Sequence, residues 1–276
     1  MLKTRVITAL VLMALLLPSL FYLPQGAWAL LVAAFVGIAA WEWGALLGKA
    51  GSSRMVIGVA TTLVCATLSW LDPNAIGAGT AYSPARPWVL VAYGIATAFW
   101  CCVIPLWLKY KWSLSGVGGM LVGAVVLVPT WLAMVQLRTL GAGVLLSIFA
   151  VVWMADIAAY FSGKAFGKHK LAPSISPGKT WEGAIGAGVG VIVYGLVIRQ
   201  IVAQDLLPLP LWIVVLVGVT AVSIVGDLYE SLLKRKAGIK DSSNILPGHG
   251  GVLDRIDSLT STLPVVALAW LMYSYQ

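Results

Sequence analysis

Charged residues are scarce in this sequence. Only 10% of its 276 residues are Asp, Glu, Lys or Arg, while 60% are hydrophobic and the mean hydropathy is +0.94. Ordinary soluble domains carry roughly 25% charged residues. A chain this apolar could not cover a water-facing surface, so the composition excludes a soluble globular domain and indicates a polytopic membrane protein.

Cysteine and repeated sequence are also scarce. The three cysteines, Cys65, Cys101 and Cys102, lie in apolar segments without the spacing of a metal site. We interpret them as packing residues. No internal repeat is visible, which argues against a transporter built from inverted repeats.

Nine apolar stretches are long enough to cross a membrane, because a spanning helix needs about 20 residues. They cover 6–23, 27–48, 54–71, 87–108, 117–136, 140–163, 183–202, 209–229 and 259–275. We therefore predict an all-α polytopic membrane protein with about nine transmembrane helices. Pairs of glycines four residues apart favour close helix packing; they are Gly44/Gly48, Gly119/Gly123 and Gly186/Gly190.

The start of the chain has two interpretations. Ala27-Trp28-Ala29 follows an apolar run and resembles the cleavage site of a secretory signal. The run itself, residues 6–23, is close to spanning length, which favours a retained first helix.

The net charge of +8 reflects orientation in the membrane. With the N-terminus in the cytoplasm, 15 of the 18 Lys and Arg residues fall on the cytoplasmic side, and only Arg86, Arg138 and Arg199 fall on the other. This asymmetry follows the positive-inside rule. It explains the basic excess without nucleic acid, so we expect membrane lipids and no nucleic acid as partners.

Acidic residues gather at the same side. Of ten Asp and Glu residues, only Asp72 and Asp205 fall on the outer side. Glu42, Asp156 and Asp227 lie in the cytoplasmic halves of predicted helices. A carboxylate there costs a few kcal/mol and usually marks a site.

The acids and bases therefore predict where the site lies. We expect a polar cavity that faces the cytoplasm, built from the C-terminal helices and from loops 164–182 and 226–258. Residues 1–140 would form the scaffold and any dimer contacts, and residues 141–276 would form the catalytic region.

The second of these loops holds five of the ten acids and five basic residues. Asp227, Glu230 and Lys234 are three and four residues apart, which puts them on one face of a helix that continues past the membrane. Asp254 and Asp257 are also three apart. Carboxylates in this pattern, close to lysines and glycines, suit Mg²⁺ shared with substrate phosphates. The alternative is a solvated loop whose charges pair casually.

Two further segments have the character of phosphate sites. Gly248-His249-Gly250-Gly251 is a turn whose backbone N–H groups can approach a ligand, and His249 can donate to phosphate or exchange a proton. The segment from Ser174 to Gly183 enters a helix whose N-terminus attracts anions. It is not a P-loop, because Pro173 stands where that motif needs its first glycine. A flexible turn and a helix cap are the alternatives.

Two acids lie alone within predicted helices. Asp156 and Glu42 are each either members of the site or structural partners of a basic residue. We favour the site for Asp156 and leave both interpretations open for Glu42.

These residues closely resemble the signature of phosphatidate cytidylyltransferases. The matching segments are Ser231-Leu-Leu-Lys234-Arg235, Lys240-Asp241, Leu246-Pro-Gly-His249-Gly-Gly and Asp254-Arg255-Ile-Asp257, preceded by Gly226-Asp227-Leu-Tyr-Glu230-Ser and Ser176-Pro-Gly-Lys-Thr-Trp-Glu-Gly. A match with so many set positions is far more specific than a short glycine motif. It is strong over the C-terminal half and only general over the N-terminal half.

The resemblance implies an activity. Members of this family transfer a cytidylyl group from CTP to phosphatidate, giving CDP-diacylglycerol and pyrophosphate for phospholipid synthesis. It also implies Mg²⁺ with a monovalent cation such as K⁺, a homodimer, and a bacterial inner membrane with the active site facing the cytoplasm.

The resemblance also implies residue roles. The metal ligands would be Asp227 and Asp254, with Asp257 and Asp156 as further candidates. The catalytic residues would be Asp227, Asp254, Lys234, Arg255 and His249. The substrate-binding residues would be Lys179, Ser176, Arg235, Lys240, Asp241, Gly248, Gly250, Gly251 and Glu230.

Two other functions are alternatives. A polyprenyl-phosphate sugar-phosphate transferase is also polytopic with cytoplasmic aspartates, but it would use a UDP-sugar and release UMP. An ion-coupled secondary transporter would place its acids near the middle of the membrane. The concentration of acids at one face argues against the transporter.

Overall fold

The computed structural model describes residues 2–202 and 207–274. Its α-helices are α1 (Leu2–Tyr22), α2 (Gln25–Leu46), α3 (Gly51–Leu71), α4 (Pro87–Ala98), α5 (Ile104–Tyr110), α6 (Gly116–Thr139), α7 (Ala142–Phe166), α8 (Trp181–Val202), α9 (Leu209–Lys236) and α10 (Leu253–Ser274). A π-helical turn at Phe99–Val103 joins α4 and α5 into one span. Within the described ranges nine spans are long and apolar enough to cross a membrane, which confirms the predicted fold class.

A small β-hairpin interrupts the helical pattern between α7 and α8. Strands β1 (Lys170–Ala172) and β2 (Ser176–Thr180) pair antiparallel, with Lys170 opposite Thr180. The sequence predicted only a loop here, because segments of three and five residues carry no readable alternation. The hairpin ends directly at the first residue of α8.

The predicted loop at 226–258 is largely helical. Helix α9 continues to Lys236 and α10 begins at Leu253, so the connecting loop is only 237–252. The predicted bounds were wrong because hydropathy detects the membrane-spanning part of a helix and not its polar ends. As a result, every acid of this stretch except Asp241 lies on a helix.

Helix α10 lies at the centre of the bundle. It packs against α2, α4, α6, α7 and α9, so its first turn is surrounded by helices from both halves of the chain. The resemblance to a signal cleavage site is not reflected in the fold, because Trp28 and Ala29 are buried inside α2. Asp205, predicted on the outer side, lies outside the described residues.

Arg138 fixes the end of the bundle opposite the site. Its guanidinium donates to the carbonyl oxygens of Leu20 and Leu23 and to the side-chain oxygen of Gln25. These bonds join the ends of α1 and α2 to α6. A charged residue predicted to separate two spans therefore holds three of them together.

Close helix contacts form at most of the predicted glycine pairs. A Cβ at Gly186 or Gly190 would overlap Ser162 or Ala158 on α7, and the same holds for Gly119 and Gly123 against α2. Gly48 differs: nothing lies within 4 Å of its Cβ position, and its φ of +65° ends α2 with a left-handed residue instead.

Replacing Gly186 with Ala should destabilise the α7–α8 pair. The new methyl group would meet the Ser162 side chain and the carbonyl of Ala158, and overpacking of this kind costs about 1–3 kcal/mol. Thermal unfolding of the detergent-solubilised protein, followed by tryptophan fluorescence, measures the loss. The matched change is Gly188→Ala on the same helix, where nothing lies within 4 Å; equal unfolding temperatures for the two variants would contradict the packing argument.

Candidate active site

Charged side chains from four elements meet where α9 and α10 come together. We refer to them as the charged cluster; its members are Asp156 on α7, Lys179 on β2, Asp227, Glu230 and Lys234 on α9, and Asp254 and Asp257 on α10. Because α9 is helical throughout this region, its three members lie one turn apart, as their spacing predicted.

An aromatic cluster packs behind this part of α9. The buried ring of Tyr229 meets Phe99, Trp100 and Trp107 edge to face, with ring centroids 5.6–6.2 Å apart. Each such contact is worth about 0.5–1.5 kcal/mol beyond the area it buries. The π-helical turn at Phe99–Val103 supplies two of the rings, so the irregular turn in the fourth span supports the charged face of α9.

Lys234 is the central cation of the cluster. Its ammonium group donates to Asp254 Oδ1 at 2.7 Å and forms an ion pair with Glu230 Oε1 at 3.3 Å. The Lys234 side chain is only 15% exposed. One partly buried ammonium thus links α9 to the first turn of α10.

Glu230 is buried without a hydrogen-bond donor. Only 4% of the residue is exposed, and neither carboxylate oxygen accepts a hydrogen bond from the described residues. The Asp257 carboxyl group lies beside it, and two ionised carboxylates cannot donate to each other. A buried charge left in this state is costly, so the pair is suited to a cation or to a ligand that brings donors.

Asp227 meets the hairpin. Its Oδ2 forms an ion pair with Lys179 Nζ, and its Oδ1 accepts a hydrogen bond from Ser231 at 3.4 Å. The hairpin thereby carries the Lys179 side chain, from a segment that the sequence placed on a loop, to the face of α9.

Asp156 lies at the open side of the cluster. Its side chain is exposed, and it is within electrostatic range of Asp257, Asp227 and Lys179 as well as of Arg255. The carboxylates of α7, α9 and α10 therefore converge, while the role of Asp156 in the site stays a prediction.

Asp254 has a different environment from the other carboxylates. Its Oδ2 accepts hydrogen bonds from the N–H of Ser242 at 2.9 Å, the hydroxyl of Ser242 at 2.9 Å and the N–H of Gly251 at 2.7 Å. Its Oδ1 accepts from Lys234. Because Gly251 lies three residues earlier at the helix start, the contact follows the pattern of a capping box. Asp254 therefore organises the loop, and these donors would have to give way before it could bind a metal.

The glycine turn is a tight reversal of the loop. Leu246 and Gly250 pair across it, the His249 N–H donates to the Leu246 carbonyl, and both Gly248 and Gly250 have positive φ. Helix α1 reaches this turn, where the Thr8 hydroxyl donates to the Pro247 carbonyl at 2.9 Å. His249 Nδ1 is buried and has no hydrogen-bond partner among the described residues.

Other predicted site residues surround the cluster without joining it. Arg235, Lys240, Asp241 and Arg255 are exposed and form no ion pair in the part of the chain that the structure describes. Ser176 lies at the start of β2, opposite Ala172. These residues remain predictions as ligand contacts.

Two features of the region were not predicted. His169 Nδ1 lies 2.6 Å from Glu182 Oε1 at the start of α8, which ties the hairpin to that helix. Ser242 and Ser243 donate to buried carboxylates of the site. Serines in a polar loop give no sequence signal of such contacts.

Mg²⁺ is compatible with the donors present. No group of three or more His, Cys, Asp or Glu side chains in residues 2–202 and 207–274 is arranged around a single point. Mg²⁺ does not require one, because it usually keeps several waters and binds one or two carboxylates together with substrate phosphates. The available donors are carboxylate oxygens, and among the described residues the buried Glu230 carboxylate, which lies beside that of Asp257, is ion-paired only with Lys234.

The fold and this cluster together define an integral membrane protein with paired carboxylates and lysines at one end of its bundle. The chain matches the family model described as "Cytidylyltransferase family" over residues 3–273. A phosphatidate cytidylyltransferase of Pseudomonas aeruginosa is 43% identical over 277 aligned residues, which cover 98% of this chain and 97% of that protein.

Two other bacterial relatives share that name. The phosphatidate cytidylyltransferase of Haemophilus influenzae is 36% identical over 96% of both chains. That of Bacillus subtilis is 37% identical over 169 residues, which are 60% of this chain and 62% of that protein. The chain belongs to the cytidylyltransferase family, which confirms the resemblance identified from its sequence.

Proposed function

We propose that this protein transfers the cytidylyl group of CTP to phosphatidate, giving CDP-diacylglycerol and pyrophosphate for phospholipid synthesis. The match to a phosphatidate cytidylyltransferase over 98% of the chain carries the proposal. The charged cluster supports it, because both reactants are phosphates and one of them is a lipid whose headgroup lies at a membrane surface.

The reaction needs charge neutralisation more than a strong base. A phosphatidate oxygen attacks the α-phosphorus of CTP, a new P–O bond forms, and the bond from the α-phosphorus to the bridging oxygen breaks to release pyrophosphate. Phosphate oxygens are already nucleophilic, so positioning and electrostatic stabilisation supply the catalysis. Lys179 and Lys234 are partly buried cations that would take this role, together with exposed Arg255, which is within electrostatic range of Asp156.

Asp227 and Asp257 would hold Mg²⁺, with Glu230 beside them. When bound, the ion would neutralise phosphate charge and polarise the reacting phosphoryl group. Lys179, which is paired with Asp227 in the structure, would be available to the triphosphate if Asp227 held the metal. Asp254 positions the loop and Lys234 in the described conformation. The monovalent cation implied by the family, with Asp156 as a ligand candidate, stays a prediction.

The loop residues would line the nucleotide side of the site. Arg235, Lys240 and Asp241 are exposed around it, and His249 carries a buried nitrogen without a partner. The turn from Gly248 to Gly251 would approach the nucleotide through backbone N–H groups, although that of Gly251 already donates to Asp254. The predicted contact of Ser176 belongs to the same surface.

The cluster would face the cytoplasm of a bacterial inner membrane. The basic residues support this orientation, since all but three of 18 fall on the side of the α9–α10 loop when the N-terminus is cytoplasmic. CTP is a cytoplasmic nucleotide, which agrees with that side. A homodimer, implied by the family, stays a prediction.

Purified protein in phosphatidate-containing micelles should release pyrophosphate only when CTP and phosphatidate are both present. UDP-sugar with polyprenyl phosphate should release no UMP. UMP release from the second pair, with no pyrophosphate from the first, would replace the proposal with a sugar-phosphate transferase. Inactivity with both pairs, together with ion-driven uptake in vesicles, would support a transporter.

Removing divalent metal should abolish pyrophosphate release. EDTA followed by buffer exchange is expected to leave less than about 1% of the activity, since the metal neutralises charge in the transition state. Adding back Mg²⁺ should restore it. Full activity in EDTA would contradict the metal assignment and leave the substrate assignment intact.

A further inference from the structure

Glu42 of α2 lies directly over the start of α10. It is completely buried, although it comes from the N-terminal half of the chain and precedes α10 by more than 200 residues. Its Oε1 accepts the N–H of Val252 at 3.0 Å and the hydroxyl of Ser243, and its Oε2 accepts the N–H of Leu253 at 2.6 Å.

These bonds close the loop between α9 and α10. Ser243 lies near the middle of the loop, Val252 is its last residue, and Leu253 is the first residue of α10. Asp254 makes a similar pair of contacts, since it accepts from Ser242 and from Gly251. Two buried carboxylates thus join the middle of the loop to its end, across the glycine turn.

Gly251 also lies against Glu42. A Cβ at this position would overlap both Glu42 Oε1 and Ser242 Oγ. Glycine is therefore needed here for the backbone to lie against Glu42 and Ser242. The sequence signature places a glycine where the structure leaves no room for a side chain.

The loop is coupled to Lys234 through Asp254. Asp254 Oδ2 holds the loop while its Oδ1 binds Lys234, which also pairs with Glu230. A shift of the loop would remove the Ser242 and Gly251 donors from Asp254 and so disturb the carboxylate that orients the Lys234 ammonium group.

We propose that Glu42 is a positioning residue for the reaction: its carboxylate holds the α9–α10 loop in the conformation that places Asp254 and Lys234 at the charged cluster. This inference rests on the proposed function for its kinetic test only. Glu42 touches the loop and not the reactants, so its effect passes through Asp254.

Charge and both oxygens of Glu42 matter to this role. Glutamine at position 42 keeps one acceptor oxygen and turns an N–H₂ group toward backbone donors, which leaves at least one buried N–H unsatisfied. Aspartate keeps two acceptor oxygens on a shorter side chain. The expected order of activity is therefore wild type, Glu42→Asp, Glu42→Gln.

The test combines steady-state kinetics with trypsin cleavage after Lys240, an exposed loop residue. For Glu42→Gln we expect kcat to fall about 10- to 100-fold, as when groups that orient a reactive centre are removed. Cleavage after Lys240 should become several-fold faster well below the unfolding temperature, because cleavage follows local opening. Glu42→Asp should recover part of the kcat and part of the resistance to cleavage after Lys240. Asp72→Asn, at the other end of the bundle, should match the wild type in both.

Ser243→Ala extends the test if Glu42→Gln does not fold. It removes one of the three donors to Glu42. We expect a fall in kcat and a faster cleavage after Lys240, each by about 3- to 10-fold. Wild-type kcat in Glu42→Gln, or a lower kcat with unchanged cleavage after Lys240, would overturn the proposal. Cleavage by trypsin needs neither CTP nor phosphatidate. If the wild type failed to catalyse the proposed reaction, the cleavage rates would therefore still test whether Glu42 holds the loop.

Discussion

Replacing Asp227 with Asn is expected to lower the rate of cytidylyl transfer by about 10²- to 10³-fold, the usual loss when one preorganised electrostatic group is removed. Asp227 is the partly exposed carboxylate of α9 that pairs with Lys179, and it lies within electrostatic range of Asp257. The change removes the charge of a proposed metal ligand and leaves the size of the side chain nearly unchanged. Pyrophosphate release at saturating CTP and phosphatidate measures it.

Mg²⁺ titration separates a metal ligand from a structural acid. Asp227→Asn should need more Mg²⁺ for half of its residual rate, whereas Asp72→Asn should keep the wild-type rate and Mg²⁺ requirement. Asp72 pairs with Arg86 at 3.2 Å, far from the cluster in the predicted topology. An Asp227→Asn variant that works at the wild-type rate would remove Asp227 from the site.

Replacing Lys234 with Met is expected to cost about 3–5 kcal/mol of unfolding free energy, because removal of one partner leaves buried charges uncompensated. Lys234 is the shared cation of Glu230 and Asp254, and both carboxylates are buried. Methionine keeps the apolar stem and removes only the charge. Thermal unfolding in detergent measures the loss, and transfer activity should disappear with it.

Lys168→Met is the matched change for this prediction. Lys168 is exposed in the segment before β1 and forms no ion pair among the described residues. It should unfold within about 0.5 kcal/mol of the wild type, as surface substitutions usually do. Equal stability of the Lys234 and Lys168 variants would show that the central cation of the cluster is not structural.

The spans and several acids of the charged cluster could be predicted from sequence for a simple reason. Hydropathy reports which segments can leave water, and acids such as Asp156 and Asp227 stand out against an apolar background. The helical spacing of Asp227, Glu230 and Lys234 also predicted correctly that they share a face. These are local properties of the chain.

The start of α10 could not be predicted in this way. Its first turn, from Leu253, is polar and is stabilised by carboxylates from α2 and from the helix itself. The role of Glu42 could not be decided from the sequence for the same reason. Its partners are more than 200 residues away and are mostly backbone N–H groups. Sequence reveals the acid, but only packing reveals its donors.

The role of Asp254 illustrates the same limit within the signature. Its spacing from Asp257 suggested that both acids could bind metal, with Asp254 as the main ligand, but the structure gives the two acids different partners. Asp254 accepts from four donors, whereas Asp257 accepts the N–H of Ser258 and lies beside Glu230. Neighbouring acids on one helix turn thus face different surroundings, which depend on how the loop folds back.

The most direct test of the account follows the phosphorus atoms of CTP in vesicles that contain the purified protein and phosphatidate. With CTP labelled at the α-phosphate, we expect the label to enter the lipid fraction as CDP-diacylglycerol. With CTP labelled at the γ-phosphate, the label should appear only in pyrophosphate. Asp227→Asn should suppress the formation of both labelled lipid and labelled pyrophosphate. Lipid that carries the γ-label, or no labelled lipid from either nucleotide, would contradict cytidylyl transfer at the charged cluster.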